Sequence, residues 1–584
     1  MAIAAPATTE PDEDSEEDGS DTSEDDDPGV DDLEGPPEVV DVTFNQLPWV
    51  EVPIPRCDQV PLSEIRPVPR STTGVQGCEG LVTSLDFFLQ LFTPSILLAF
   101  VDATNSYASA NKNRSGWVPV TLPEFKVFIA LVLFFGIVQL PSPRMAWSSD
   151  SMFRLSWVSS MMTYKRFESI MYHWHWLDTN GVCEEDRQVR NRVNSFWTVQ
   201  GFCDALVESF AAHYICPRGF YIDEQNIPCE GRQQSTCYQT STPAKWHLKL
   251  YSLNCAETNY QLNFFMYQGR DEDCPPEMPA TVYPIWYLLK GGFHWHKSMI
   301  LYLEKWYTSI AAIKLCFSWG IHVVGTVRKN KKELPKDAIF HKTGRGKRGR
   351  GEMKCMAKPL DTSGQRYLYF TAWMDSKPVH LLHTIKPYQQ TMQRAKKGTH
   401  QKEAIPQPTV VADYNFGRRS TENIDQLTSC YRNDMLSKKR QPRLFMHCLH
   451  TAVCNAHILF KFSTEVERGG AGFTLSNFTE LLVFQLCEEH VASVQSDEPP
   501  VKKSRRLEAC LADPGRLTGN HFPEKLRRCG AKATSDPRRK CKICSTKTGV
   551  FCVACNVALC IDASDTNRTC WEQYHTTPLS YKKK

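Results

Sequence analysis

Near residue 220 the apolar residues of the chain change their period, and that change restricts the fold more than any other feature. Upstream, apolar residues recur at three- and four-residue spacing in Leu85 to Ala108, Leu122 to Val138 and Phe167 to Leu177, with Pro141 and Pro143 as breakers. This spacing predicts helices across 84–215. From Phe220 onward the runs are short and bounded by turns: Leu248 to Leu253, Leu262 to Tyr267, Met299 to Leu303 and His322 to Val327. They read as buried strands interleaved with helices such as Trp306 to Ser318, which makes an α/β core. The aromatic stretch Tyr172 to Trp176 lies on the helical side, so its rings read as core, and His173 and His175 as packed side chains rather than ligands.

At 584 residues the chain is too long for a single core. Its formal charge of +3 conceals a segregation: residues 1–55 hold 18 Asp and Glu and no Lys or Arg, leaving 68 basic against 47 acidic side chains in the rest. The tail at 1–45 is expected to be disordered, because it lacks the apolar area that would offset ordering. Ser15 and Ser23 precede acidic runs and suit acidophilic kinases. The tail can bind basic proteins or simply solubilise. The basic body suits a polyanion such as DNA, and equally a solvated surface. The longest apolar run, Val127 to Gln139, is short for a bilayer span, and the N-terminus is acidic rather than signal-like. A soluble intracellular protein without a membrane partner is expected.

The most basic stretch lies between Arg328 and Lys358, where glycines alternate with Arg345, Lys347, Arg348 and Arg350. It reads as a phosphate-seeking loop or as a mobile solvated one. Residues 490–520 read as a basic linker, and Val501 to Arg506 resembles a nuclear-import signal, so a nuclear protein is expected. The 23 cysteines, an odd number with one dense cluster, favour reduced thiols and a metal site. In that cluster two CxxC pairs, Cys541 with Cys544 and Cys552 with Cys555, stand seven residues apart and are followed by Cys560, Cys570 and His575. This is a zinc pattern, and seven donors exceed what one ion takes, so two zinc ions are expected. Arg538, Arg539 and Lys540 beside it suggest DNA contact, as do Arg527 and Arg528.

The chemistry-bearing stretch is Tyr221 to Arg232, where Asp223 and Glu224 close a short apolar run. By residue type alone this is a solvated turn or an anchor for a hard metal ion. The stretch resembles the "IDE…GR" block of piggyBac transposases and the vertebrate proteins derived from them. Similar blocks run in family order from about 84 to 575: Leu85-Asp86-Phe87-Phe88 through Thr104 to Ala108; Trp117 with Thr121 to Phe125; Met161 to Phe167; Lys245 to Tyr251; Gly325 to Asn330; and Trp373 to Val379.

The resemblance implies a helical DNA-binding and dimerisation region at 84–215. It also implies an RNase H-like core at 216–465 with a basic insertion at about 329–400, and a zinc module at 521–578 in which His521 is the eighth ligand. It further implies a homodimer on double-stranded DNA. Asp223 matches the first catalytic carboxylate. Glu304 stands at the second position, followed by Lys305, and Glu422 at the third, with Asp425 matching an additional aspartate. Where the family has a glycine pair before the third position, this chain has Arg419 and Ser420. Glutamate still ligates Mg²⁺ or Mn²⁺, but the added methylene at Glu304 displaces the carboxylate where octahedral geometry tolerates little. The expectation is a domesticated DNA-binding nuclear protein with impaired catalysis. The alternative is an active, metal-dependent cut-and-paste transposase acting at TTAA targets, and a third, weaker option is a protein-interaction scaffold.

Overall fold

The computed structural model describes residues 47–57, 73–110, 116–148, 153–229, 235–240, 245–269, 274–291, 299–341, 348–361, 366–395, 402–418, 431, 436–463, 473–496, 523–525, 538–544, 546–552, 555, 557–561 and 569–576. The chain divides into two units, Met1–Val483 and Phe484–Lys584.

In the first unit the helical half is built as α1 (Ser84–Leu91), α2 (Pro94–Ala110), α3 (Leu122–Ile137), α4 (Tyr164–His173) and α5 (Trp197–His213). Thr83 and Asp86 form a reciprocal capping box that starts α1. One helix was expected from Leu85 to Ala108. The chain instead breaks at Phe92 and opens α2 on Pro94, which has no N–H to give to the preceding turn and is favoured at a first helical position. Helix α4 stops at His173, short of the expected Leu177, and Trp174 turns into the core against Phe128 and Phe445. The long helix α8 (Arg440–Phe462) is buried along nearly its whole length from Pro442 to Phe460. Phe100 meets Phe202 and Phe445 edge-on at 5.0 and 4.9 Å, and Phe87 meets Phe460 at 5.5 Å. Burial of this many rings is the main stabilising term of the helical half. His173 is buried and His175 stacks on Tyr107 at 3.6 Å, so both are packed side chains.

The second half of this unit is a ten-stranded sheet. Its strands are β1 (Val50–Glu51), β2 (Gly219–Pro228), β3 (Cys237–Tyr238), β4 (Trp246–Cys255), β5 (Gln261–Met266), β6 (Ile300–Leu303), β7 (His322–Thr326), β8 (Met353–Pro359), β9 (Tyr367–Met374) and β10 (Pro378–His383). The order is β1-β8-β9-β10-β7-β6-β2-β4-β3, with β5 also paired to β4. The β2-β4-β5 meander is antiparallel, and β6 and β7 then add parallel to β2 and to each other. A short helix, α6 (Tyr283–Leu289), precedes β6, and between β6 and β7 runs α7 (Ile310–Ser318), starting four residues later than expected because Ser309 caps it by accepting from the N–H of Ala312.

Residues 353–383, expected within an insertion, continue this same sheet. The β8-β9-β10 meander joins through Leu381↔Thr326 and its neighbours on β7. Tyr367–Met374 is buried over most of its length, a run that carried a strand signal of its own. A hairpin, β11 (Gln389–Ala395) and β12 (Lys402–Pro408), follows. The outer edge at β8 is closed by a strap. Val50 and Glu51 pair with Ala357 and Met356, Val52 N–H donates to Cys355 O, and Trp49 Nε1 donates to Glu333 O.

Helix α9 (Leu475–Ser496) buries Leu475, Phe478, Leu482, Leu486 and Val491 at helical spacing, so the chain is helical past 490, where a linker was expected to begin. Among the described residues no single helix is long and apolar enough to cross a membrane.

Candidate carboxylate site and metal centre

Strands β2 and β6 run parallel in the register Gly219↔Ile300, Phe220↔Leu301 and Tyr221↔Tyr302. Asp223 and Glu304 each lie two residues beyond the paired tyrosines, Asp223 within β2 and Glu304 just past the end of β6. Gly219 is required here, because a Cβ on it would come within 2.5 Å of Ile300 O. Asp223 is half-buried, and its Oδ1 accepts the Glu224 N–H at 2.8 Å. Glu304 is exposed, and its carbonyl holds the following turn by accepting from Tyr307 N, Thr308 N and Thr308 Oγ1.

A helix over 409–418 lies across the ends of these strands. Three contacts fix it. Arg218 pairs with Asp413 at 2.7 Å with both side chains largely buried, and Thr326 Oγ1 meets the Tyr414 hydroxyl at 3.1 Å. Gly417 sits on the Tyr302 ring, where a Cβ would be 2.4 Å from it. Tyr414 and Arg418 thereby join Tyr221, Tyr302 and Glu304 around one small cleft. Burial raises the Tyr414 phenol; the Thr326 hydrogen bond opposes this, and Glu304 and Arg418 act on it in opposite senses. The sequence reading missed Arg418, Asp413 and Arg218; a glycine inside a helix was the one local sign that a ring lay beneath it. Glu422 and Asp425 lie outside the described residues.

The Asp223-Glu224 pair is divided by the pleat, since consecutive strand residues face opposite ways. Glu224 pairs with Lys249 at 2.8 Å and accepts from the Tyr307 hydroxyl at 2.8 Å. Burial pulls Lys249 down, but Glu224 more than offsets it and the ammonium is held above its ordinary value.

Of the basic candidates, Arg345 and Lys347 lie outside the described residues. Arg348 is half-exposed and 3.9 Å from Glu352. Arg350, read as a phosphate contact, is forked between Asp375 at 2.8 Å and Glu403 at 2.9 Å. Arg394 adds to Asp375 at 3.5 Å. Arg350 therefore ties the β9–β10 turn to β12, because its guanidinium finds two carboxylates within the fold. Arg539 and Lys540 are exposed on β14 (Arg539–Lys540), and Arg538 directly precedes it.

In the second unit, β13 (Pro523–Lys525), β16 (Val550–Cys552) and β17 (Val557–Ala558) form one small sheet, and β14 pairs with β15 (Lys547–Thr548). Helix α10 (Cys570–Thr576) follows. These elements bring the cysteines into two groups, Cys541, Cys544, Cys560 and Cys570 in one, and Cys552, Cys555 and His575 in the other. Within each group the donor atoms lie within 4.8 Å of one another, so each can hold a metal ion. The groups interleave along the chain, around a core that includes Leu559 and Tyr574. Hydrogen bonding from Thr546, against the effect of burial, brings the Cys544 thiol down to about 6. Burial and the neighbouring thiols push Cys560 and Cys570 up to about 12, so four thiolates coexist only beside a cation. His575 Nδ1 is 3.0 Å from Trp571 O, so it carries the proton and donates, which leaves Nε2 as the unprotonated nitrogen, 3.7 Å from Cys555 Sγ. The donor chemistry of both groups thus fits a thiophilic metal. His521 lies outside the described residues.

The mixed α/β fold resembles a solved piggyBac transposase, described as a synaptic complex with hairpin DNA. The TM-score is 0.61 at 20% identity, covering 84% of this chain and 99% of that one. Residues 83–457 match the family model described as Transposase IS4, and the chain belongs to that family, in its piggyBac type. PiggyBac transposable element-derived protein 3 of Homo sapiens is 24% identical over 590 aligned positions, covering 96% of this chain and 89% of the relative. PiggyBac transposable element-derived protein 5 of Homo sapiens is 23% identical over 425, covering 69% and 75%.

Proposed function

We propose that this protein is a nuclear, DNA-binding derivative of a piggyBac-type transposase whose strand-cleavage site is impaired. The observation that carries the reading is Arg418, which lines the same cleft as Glu304. The Arg418 guanidinium, exposed at the cleft, supplies positive charge where a divalent ion would otherwise be drawn, and Lys305 adds to it. The strand order β5-β4-β2-β6-β7, three antiparallel then two parallel, supports an RNase H-like core. Asp223 and Glu304 are oxygen donors that would hold Mg²⁺ or Mn²⁺; the longer arm and exposure of Glu304 make the fit loose. Such an ion, when bound, supplies Lewis-acid polarisation of a phosphoryl oxygen. In the described residues Asp223 and Glu304 position phosphate chemistry, and Arg418 offsets their charge.

DNA binding is supported by the basic body and by the likeness to a transposase solved with hairpin DNA. The helical half is the region we assign to DNA contact and homodimerisation. The sulfur and nitrogen donor sets support two zinc ions in the second unit. A second reading, an active metal-dependent transposase, is favoured by one observation, that Asp223 and Glu304 each follow by two residues the paired tyrosines Tyr221 and Tyr302 of adjacent strands. Fluorescence anisotropy with labelled duplex DNA, paired with a nicking assay in Mn²⁺, separates them. Salt-dependent binding without nicking is expected. Nicking that vanishes in Asp223→Ala overturns impairment in favour of the active enzyme, and absence of binding at moderate salt overturns the DNA-binding reading.

A further inference from the structure

The four-cysteine group of the second unit holds one donor apart from the others. Cys541 and Cys570 are buried and Cys560 is half-buried, whereas Cys544 is exposed. The Cys544 and Cys560 sulfurs lie 3.6 Å apart. The backbone keeps them close. Cys541 N donates to Thr546 O at 2.7 Å and closes the knuckle that carries Cys544, and Lys542 N donates to Ala558 O at 2.9 Å, which lays that knuckle against the chain leading to Cys560. Trp571 N in turn donates to Cys560 O at 2.9 Å. A disulfide holds its sulfurs about 2.05 Å apart, so an approach of about 1.5 Å would join the pair.

The three-donor group is built otherwise. Cys552 is fully buried and Cys555 half-buried, so neither of its thiols is exposed. Among the described residues Cys183 is the other exposed cysteine. Its sulfur caps the helix Glu184–Val193, accepting the Asp186 N–H at 3.4 Å. An oxidant arriving from solvent therefore meets Cys544 first among the metal donors, and meets it with a second sulfur in contact.

We propose that Cys544 is a peroxide-reactive cysteine whose oxidation is resolved by Cys560, discharging the ion of the four-cysteine group alone. The inference rests on the zinc reading above and adds to it an oxidant switch. The Cys544 thiolate attacks one oxygen of hydrogen peroxide; the O–O bond breaks, hydroxide leaves, and a sulfenic acid forms on Sγ. The Cys560 thiolate then attacks that sulfur, forming the S–S bond and expelling a second hydroxide. The two thiolates lose two electrons, the peroxide gains them, and two protons turn both hydroxides into water. Cys541 and Cys570 remain, two donors where zinc takes four. Strand β14, with Arg539 and Lys540 exposed, directly precedes Cys541, so it loses its anchor when the ion leaves.

The test uses the full chain loaded with zinc and treated with hydrogen peroxide at rising ratios. Bound zinc is read by elemental analysis after desalting, and cross-links by peptide mapping without reduction. Zinc is expected to fall from two ions per chain to one as a Cys544–Cys560 cross-link appears, and dithiothreitol with added zinc is expected to reverse both. Cys560→His keeps a fourth donor while removing the resolving sulfur. It is expected to carry two ions before treatment and to keep both at the peroxide ratio that discharges the wild type. A Cys541–Cys544 cross-link in the wild type, loss of both ions together, or loss of zinc without a cross-link overturns the switch and leaves the zinc reading standing. Oxidation of Cys183 with both ions retained also overturns it. A chain that carries no zinc before treatment overturns the zinc reading together with the switch.

Discussion

The two candidate metal sites are assembled in opposite ways. The cysteine groups of the second unit draw their donors from about 35 residues of chain, and tight CxxC turns fix four of the seven donors locally. The carboxylate site takes Asp223 from one strand and Glu304 from beyond another, and its neighbour Arg418 arrives on a helix held by Arg218 and Asp413, 195 residues apart. A locally assembled site survives most sequence change because few contacts set it. A remotely assembled one depends on every contact between its parts.

That contrast can be broken by experiment. Metal removal should have the largest effect. In so small a unit ligation supplies much of the folding free energy, on the order of 10 kcal/mol per structural zinc. A chelator is expected to unfold the region around 538–576, seen as loss of amide-exchange protection there while the ten-stranded sheet keeps its own. Cys544→Ser should lower the bound zinc from two ions per chain to one by elemental analysis. If the sheet lost protection with the metal, the two sites would not be independent.

Next in size is the contact that holds the 409–418 helix. Asp413→Ala leaves Arg218 with its charge largely buried and should cost about 3–5 kcal/mol in chemical denaturation of the sheet unit. Its zinc content should remain that of wild type. Smaller again is an acid effect. His383 is fully buried; Nδ1 donates to Ile385 O and Nε2 accepts from Thr371, and burial lowers it to about 4. Its folded value is below the unfolded 6.5, so the unfolded chain takes up more protons between those limits. Stability is full above about pH 6.5 and falls as pH drops toward 4, by on the order of 3 kcal/mol. His383→Gln should flatten that slope in denaturation series run at stepped pH. An unchanged slope would place the acid sensitivity elsewhere.

These experiments also mark what the sequence could disclose. The cysteine groups were legible because spacing and donor type are both written locally, and the runs at β4 to β7 because buried strands leave continuous apolar segments. Asp223 and Glu304 were legible as candidates through resemblance, while their adjacency waited on the β2–β6 register. The β8-β9-β10 meander was hidden by charge. Lys354 and Lys358 read as part of a basic loop, although Lys358 is only 5% exposed and lies on β8. Arg350 misled for a related reason, since composition does not distinguish a guanidinium waiting for phosphate from one already held by Asp375 and Glu403. Arg418 carried no sign of the cleft until Gly417 was seen to ride on Tyr302.

The strap at Trp49 to Val52 bears on how this protein is shortened for laboratory work. The acidic run invites trimming, and a cut at Arg56 would seem to discard only charge. It would also strip Val50, Glu51 and Val52 from β8, leaving the amides and carbonyls around Cys355 to Ala357 without partners at an open sheet edge. Such an edge templates pairing between molecules. Because the cut raises the formal net charge from +3 to +21, precipitation of a truncated chain would report self-association along β8 rather than lost net charge, and a cut placed before Leu47, which keeps the strap, should avoid it.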